Sequence, residues 1–272
     1  MTFPEKLRSV VGYQGPGLCV GLDPDPARMP PTFTPDVSGI SAFLHEVIAA
    51  SAPFARAYKV NTAFFEALGS PGWRLFEEIA RALPQNSIRI ADAKRGDIGN
   101  TARRYAEAFL KQLPFDAITL SPYLGGDSLE PFLADATRGA YVLALTTNPG
   151  SKDLQYSSDG KERLFERVLR QIAIWAPRGN LGAVVGATHP QELLDIRQAF
   201  PAVALLIPGV GAQGGDVEAI KALGYGREFA PVLINVSRGI LYPDGKLEFP
   251  CSIEEACREY CRKLGFARRV SQ

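Results

Sequence analysis

Histidine is nearly absent from this chain of 272 residues: His45 and His189 are the only two, and they lie far apart. No pair of cysteines or histidines has a zinc-site spacing such as C-x-x-C. The four cysteines are Cys19, Cys251, Cys257 and Cys261. Three fall in the last helix-like segment and read as reduced, half-buried helix residues. A predominance of one charge sign is lacking too. Thirty Lys and Arg against 29 Asp and Glu leave a net charge of +1. That balance excludes an overall basic nucleic-acid binder and an acidic disordered tail protein. The opening segment MTFPEKLRSVVGYQGPG is interrupted by charges, Pro and Gly, so no signal-peptide core is expected. Residues 198–215 carry no charge, but Pro201, Pro208 and four glycines keep them from forming a plain spanning helix. The expectation is a cytoplasmic protein with no membrane or nucleic-acid partner.

The chain does hold 26 glycines and 21 prolines with no repeat period, which reads as many tight turns between short elements. Its dominant pattern is alternation. Short β-branched or apolar runs are expected as strands at Leu18–Leu22, Ala57–Asn61, Ile88–Lys94, Ala117–Leu120, Tyr141–Thr146, Gly182–Gly186, Val203–Ile207 and Val232–Val236. Helical periods fill the gaps, at Ser38–Ala52, Trp73–Leu83, Asn100–Leu113, Ser128–Ala136, Lys161–Trp175, Pro190–Phe200, Asp216–Leu223 and Ser252–Leu264. In the third of these, Tyr105, Ala106, Phe109, Leu110 and Leu113 share one side, and Asn100 or Thr101 is the expected cap.

Eight strand–helix units within about 250 residues predict an α/β protein of the (β/α)8 TIM-barrel class, one domain over residues 1–272. A doubly wound open sheet is the competitor, but it often carries a Gly-rich phosphate turn after its first strand. Here that turn is Asp23-Pro24-Asp25-Pro26, acidic and without glycine.

Reactive side chains collect at or just after the predicted strand ends, the face where barrel active sites are built. Strand one ends in Asp23, strand two carries Lys59 and Asn61, and strand three carries Asp92 and Lys94, then Asp97. Side chains alternate along a strand, so Asp92 and Lys94 share a face while Ala91 and Ala93 turn to the helices. Lys59 on the neighbouring strand reaches the same mouth, giving a Lys–Asp–Lys array. Strand seven leads into Pro208-Gly209-Val210-Gly211-Ala212-Gln213-Gly214-Gly215, and strand eight into Ser237-Arg238-Gly239. Barrels often bind phosphate between these two loops. Glycines let backbone N–H groups approach an anion, Gln213 donates from its amide, and Arg238 grips two oxygens. The residues alone thus describe a phosphorylated small molecule held beside a Lys/Asp array. They leave open proton transfer, Schiff-base aldol chemistry or decarboxylation, and imply no metal and no redox cofactor.

Asp92-Ala93-Lys94-Arg95-Gly96-Asp97-Ile98 reads D-x-K-x-x-D-I, which resembles the active-site motif of the orotidine 5′-phosphate decarboxylases. Gly21-Leu22-Asp23, Lys59-Val60-Asn61, the Pro208–Gly215 run and Ser237-Arg238-Gly239 follow in that family's order. KVNTAFFEALG and LTTNPGS look like its longer bacterial subgroup. A sister family, the hexulose-phosphate synthases, shares D-x-K-x-x-D and uses Mg²⁺ for aldol-type chemistry. A Mg-dependent or Schiff-base lyase or aldolase acting on a sugar phosphate is therefore the alternative. The Lys59, Gln213 and Arg238 context favours the decarboxylase.

The resemblance implies a (β/α)8 barrel that converts orotidine 5′-monophosphate (OMP) to UMP and CO₂ with no cofactor. It implies that Lys59, Asp92, Lys94 and Asp97 form a charged network with Lys94 as proton donor. Asp23 and Lys59 would hold ribose hydroxyls, Pro208 would line the pyrimidine pocket, and Gln213 and Arg238 would bind phosphate. Asn61 and Ser237 join the substrate-contacting set. Asp97 and Ile98 would enter the other subunit's site, with Thr101 contacting ribose across the same interface, which implies a homodimer with shared active sites. Thr147, followed by Asn148, stands where shorter members place a Ser that reads the pyrimidine edge. Residues 151–160 are a candidate lid, with Gly150 and Gly160 as hinges. His189 has no matching family role.

Overall fold

In the computed structural model, residues 1–188, 190–210, 217–244 and 247–265 are described. Eight parallel strands close into a barrel in sequence order: β1 (Gly17–Leu22), β2 (Ala57–Asn61), β3 (Ile88–Arg95), β4 (Ala117–Leu120), β5 (Gly139–Leu145), β6 (Leu181–Val185), β7 (Leu205–Pro208) and β8 (Val232–Val236). β1 seals the barrel against β8 with Cys19 opposite Asn235. Three strands fall at the bounds their β-branched runs predict, and the rest shift by one or two residues. The (β/α)8 class read from the alternation is the observed one.

Helices cover the barrel: α1 (Phe3–Val11), α2 (Val37–Ser51), α3 (Thr62–Glu66), α4 (Gly69–Ala82), α5 (Gly99–Glu107), α6 (Gly126–Leu133), α7 (Ser151–Leu154), α8 (Leu164–Trp175), α9 (Pro190–Ala199), α10 (Val217–Lys221), α11 (Arg238–Leu241) and α12 (Cys251–Lys263). The helix expected over 100–113 widens into a π turn at Ala108–Gln112, where Leu113 N–H reaches Ala108 O. Its start also differs. Ile98 is the N-cap and provides no side-chain bond, so neither Asn100 nor Thr101 caps it. No helix among the described residues is long and apolar enough to cross a membrane.

The period-2 alternation of each strand sorts its residues between two cores. Outward-facing Val20, Tyr58, Val60, Ala91, Ile118, Val142 and Ile234 pack under the helices. Inward-facing Cys19, Ala57, Ile88, Ile90, Ala117, Tyr141, Leu206 and Leu233 fill the barrel. α1, which periodicity did not reveal, plugs the barrel's N-terminal end with Phe3, Leu7 and Val11. Phe3 meets Tyr141 edge-on at 6.3 Å. A Cβ on Gly139 would lie 2.2 Å from the Phe3 ring, so the plug depends on glycine there.

Candidate active site

Two residues further along five of the strands, the inward positions change character. Ala57 gives way to Lys59, Ile90 to Asp92, Ala117 to Thr119, Leu206 to Pro208 and Leu233 to Asn235. The apolar filling of the barrel therefore ends in a polar layer at the C-terminal face, the floor of a cavity of about 670 Å³. Its lining includes Lys94, Asp92, Lys59, Asp23, Asn61, Thr147, Pro208, Ser237 and Arg238. Nine of the thirteen residues expected at the site thus share one cavity. Gln213 and His189 lie outside the described residues.

Asp92 is the hub. Its carboxylate is 7% exposed and sits between two ammoniums: Lys59 Nζ lies 2.6 Å from Oδ2, and Lys94 Nζ lies 2.5 Å from Oδ1. Burial by itself would raise the Asp92 carboxyl, but the Lys59 and Lys94 charges and hydrogen bonds outweigh it and hold the carboxyl well below the usual range. Lys59 shows the mirror image. Burial would push this 5% exposed amine down, yet Asp23 and then Asp92 keep it above its ordinary value. Asp92 and Lys59 are therefore both ionised at neutral pH. Asp23 Oδ1 lies 3.7 Å from Lys59 Nζ and is buried without a hydrogen bond, so it remains an acceptor for an incoming hydroxyl.

β3 does not deliver Lys94 by plain alternation. Ala91 pairs with Ile118, but the next pair is Arg95 with Leu120, so three residues of β3 bulge opposite the single Thr119 of β4. Lys94 takes up the bulge with φ of 48°, the left-handed region that L residues seldom adopt. Its side chain arches back over the cavity, about half exposed. Lys94 N–H donates to Thr119 Oγ1 at 3.0 Å, and the Thr119 hydroxyl donates to Asp92 Oδ1 at 2.9 Å.

Across the mouth, β8 ends in the Ser237–Arg238 turn. Gly21 of β1 makes room for it, because a Cβ there would come within 2.0 Å of Ser237 Oγ. Asn235 accepts from the Cys19 thiol at 3.7 Å and donates to Ser237 Oγ at 3.4 Å. Burial raises that thiol to about 12, so Cys19 stays protonated. Tyr242 closes the rim from below: its hydroxyl accepts Asp25 N–H at 2.5 Å, its ring stacks on Phe43, and Arg28 lies 4.8 Å over it.

Beyond β5, Gln155 accepts Thr146 N–H and donates to Thr146 Oγ1, both at 2.8 Å. Thr146 in turn donates to Asn148 Oδ1 at 2.6 Å. Tyr156 donates to Glu192 at 3.0 Å, and Asp159 and Glu162 pair with Arg167. The segment read as a candidate lid is thus tied to β5, α8 and α9. Gly160 has the left-handed φ of 86° that suits a hinge; Gly150 does not need glycine's freedom.

Asp97, Ile98 and Thr101 do not line this cavity. Ile98 is 59% exposed on the rim, as are Tyr123 and Leu124 after β4 at 81% and 46%. Sequence reasoning gave no role to Thr119, Asn235, Gln155 or Tyr242, although it noted Asn235 at the end of strand eight. Inward parity at the ends of β4 and β8 is the signal that would have found the first two; Gln155 and Tyr242 lie in loops and leave no periodic trace.

Residues 16–247 match the model of the orotidine 5′-phosphate decarboxylase / HUMPS family. An orotidine 5′-phosphate decarboxylase of Roseiflexus castenholzii is 45% identical over 272 residues, covering 99% of this chain and all of the relative. The solved OMP decarboxylase of Leishmania donovani superposes with a TM-score of 0.84 at 35% identity, over the full length of both chains. The UMP synthase of the same organism superposes at 0.85 and 37% identity; 98% of this chain is covered, and 57% of that one. By its matched length, its relatives and its barrel, the chain belongs to the orotidine 5′-phosphate decarboxylase family of carboxy-lyases.

Proposed function

We propose that this protein converts OMP to UMP and CO₂, the last step of pyrimidine nucleotide synthesis, with fixed charges and no cofactor. The observation that carries this reading is the Lys59–Asp92–Lys94 ladder, with contacts of 2.6 and 2.5 Å, facing one cavity with Ser237 and Arg238.

Breaking the bond between the ring and its carboxylate releases CO₂ and leaves an electron pair on a ring carbon that delocalises it poorly. Many decarboxylases pass such a pair to a cofactor. Here the Lys94 ammonium meets the growing negative charge and then gives that carbon a proton, leaving a neutral amine that solvent reprotonates. Asp92 keeps Lys94 aimed, and its own fixed negative charge opposes the substrate carboxylate before departure. Lys59 holds Asp92 ionised. Asp23, with its free acceptor oxygen, and Lys59 take ribose hydroxyls, and Asn61 flanks them at the end of β2.

Pro208 borders the pyrimidine, and Thr147 reads its edge. Ser237, Arg238 and Gln213 take the phosphate, whose remote binding energy orients the reacting ring. Asp97, Ile98 and Thr101 act in the site of a second protomer. Their position outside their own cavity, with the apolar Ile98 exposed, supports a homodimer.

The test is loss of OMP absorbance with purified protein in EDTA. Turnover is expected to persist under chelation and to vanish in a folded Lys94→Ala variant. Substantial activity in that variant would overturn the role of Lys94. Activity lost to the chelator, or borohydride trapping of a covalent adduct on Lys94 or Lys59, would point instead to a sugar-phosphate lyase.

A further inference from the structure

We infer that Thr119 is a positioning residue for the reaction: its hydroxyl sets both the direction of the Lys94 ammonium and the third hydrogen bond of Asp92. This deepens the decarboxylase reading and rests on it for the kinetic part of the test.

The register of β3 against β4 makes the case. Between the pairs Ala91–Ile118 and Arg95–Leu120, β3 spends three residues where β4 spends one. A bulge of this kind interrupts the backbone ladder and leaves amide groups to be satisfied elsewhere. The Lys94 N–H is one of them, and Thr119 Oγ1 accepts it at 3.0 Å. The same oxygen carries one hydrogen, which it donates to Asp92 Oδ1 at 2.9 Å. A hydroxyl is the side-chain group that does both at once, since it is donor and acceptor on a single atom. Thr119 is 1% exposed, so water does not replace it.

Two consequences follow. The first concerns Lys94, whose φ of 48° is unfavourable for a residue with a Cβ and persists because its surroundings over-determine it. The Thr119 acceptor is the side-chain bond that anchors this turn. Without it, the backbone relaxes toward ordinary φ and swings Nζ away from the reacting carbon. The second concerns Asp92 Oδ1, which receives both the Lys94 ammonium at 2.5 Å and the Thr119 hydroxyl. The hydroxyl fixes the carboxylate plane, so that Oδ2 stays toward Lys59 at 2.6 Å. Thr119 thus joins backbone strain, proton donor and carboxylate hub through one atom, without touching the reacting carbon.

Thr119→Val preserves shape and removes the hydroxyl, and Thr119→Ser restores it. In Thr119→Val, kcat for OMP is expected to fall about tenfold to a hundredfold, the range of one charge-assisted hydrogen bond. KM for OMP and affinity for UMP should stay within about threefold, because the ribose and phosphate contacts are untouched. Thr119→Ser should recover most of the kcat. Hydrogen exchange at the Lys94 amide should be faster in the Val variant than in wild type or the Ser variant. A Val variant with kcat within about threefold of wild type overturns the inference, as does a Ser variant as impaired as Val. The two readings fail separately. If wild type leaves OMP intact, the decarboxylase reading falls, and unchanged exchange at Lys94 in Thr119→Val would then overturn the positioning role as well.

Discussion

Replacing Lys59 by Met tests the charge ladder where it is driest. Lys59 is 5% exposed, with Asp92 Oδ2 at 2.6 Å and Asp23 Oδ1 at 3.7 Å from its ammonium. Met keeps the length of the stem and deletes the charge. Asp92, itself 7% exposed, is left with Lys94 and Thr119, and Asp23 loses its ion-pair partner. Stranding one member of a buried pair costs about 3–5 kcal/mol, and that is the expected loss at pH 7 by urea denaturation.

The pH dependence has a definite sign. The Asp92 carboxyl is held below its unfolded value, so in wild type it adds stability above about 3.9 and loses it as pH falls through the folded value. Lys59 is held above its unfolded value, so its contribution is full below about 10.4 and lost only as pH rises through the folded one. In Lys59→Met the strongest charge that holds Asp92 down is gone, and burial pulls the carboxyl upward. The variant's deficit should therefore be complete at pH 7 and narrow in acid as Asp92 takes up its proton. A Lys59→Met/Asp92→Asn pair, carrying no stranded charge at the hub, should recover much of the lost stability. The reasoning fails if Lys59→Met costs less than about 1 kcal/mol, or if the double variant is no more stable than the single one.

Gly21→Ala places a Cβ 2.0 Å from Ser237 Oγ. It should cost about 1–3 kcal/mol and raise KM for OMP more than it lowers kcat, because the Ser237–Arg238 turn must move; unchanged KM in steady-state kinetics would count against that turn as a phosphate site. Phe3→Ala opens the opposite end of the barrel and should cost about 3–5 kcal/mol in denaturation while kcat and KM stay put. Mixing two inactive variants, Lys94→Ala and Asp97→Ala, should restore activity through hybrid dimers. No recovery despite proven subunit exchange would refute a shared site.

Much of the fold was legible in one dimension because its signals are local. A strand repeats every two residues and a helix every 3.6, whatever they pack against. Eight alternations of those periods were enough for the barrel, and the D-x-K-x-x-D-I motif together with the ordered Lys59, Gln213 and Arg238 segments for the family. Parity alone also put Asp92 and Lys94 on one face of β3, with Lys59 of β2 at the same mouth. Parity gave no hint that β3 bulges, that Lys94 takes a left-handed φ to reach over the mouth, or that Thr119 fills the gap in the ladder. Those features depend on which residue of β4 lies across from β3, and register between strands is a property of the closed sheet. Likewise α1 plugs the barrel only because Gly139 leaves room for Phe3, and residues 151–160 are tied down by partners on β5, α8 and α9. Asp97, Ile98 and Thr101 follow Lys94 closely in the chain yet lie outside its cavity, because β3 ends at Arg95 and α5 leads the chain away over the rim. The sequence by itself determined which chemical groups stand at the strand ends. Only the tertiary structure decided which of them share one cavity, because closing the barrel sets the distances between charges carried by different strands.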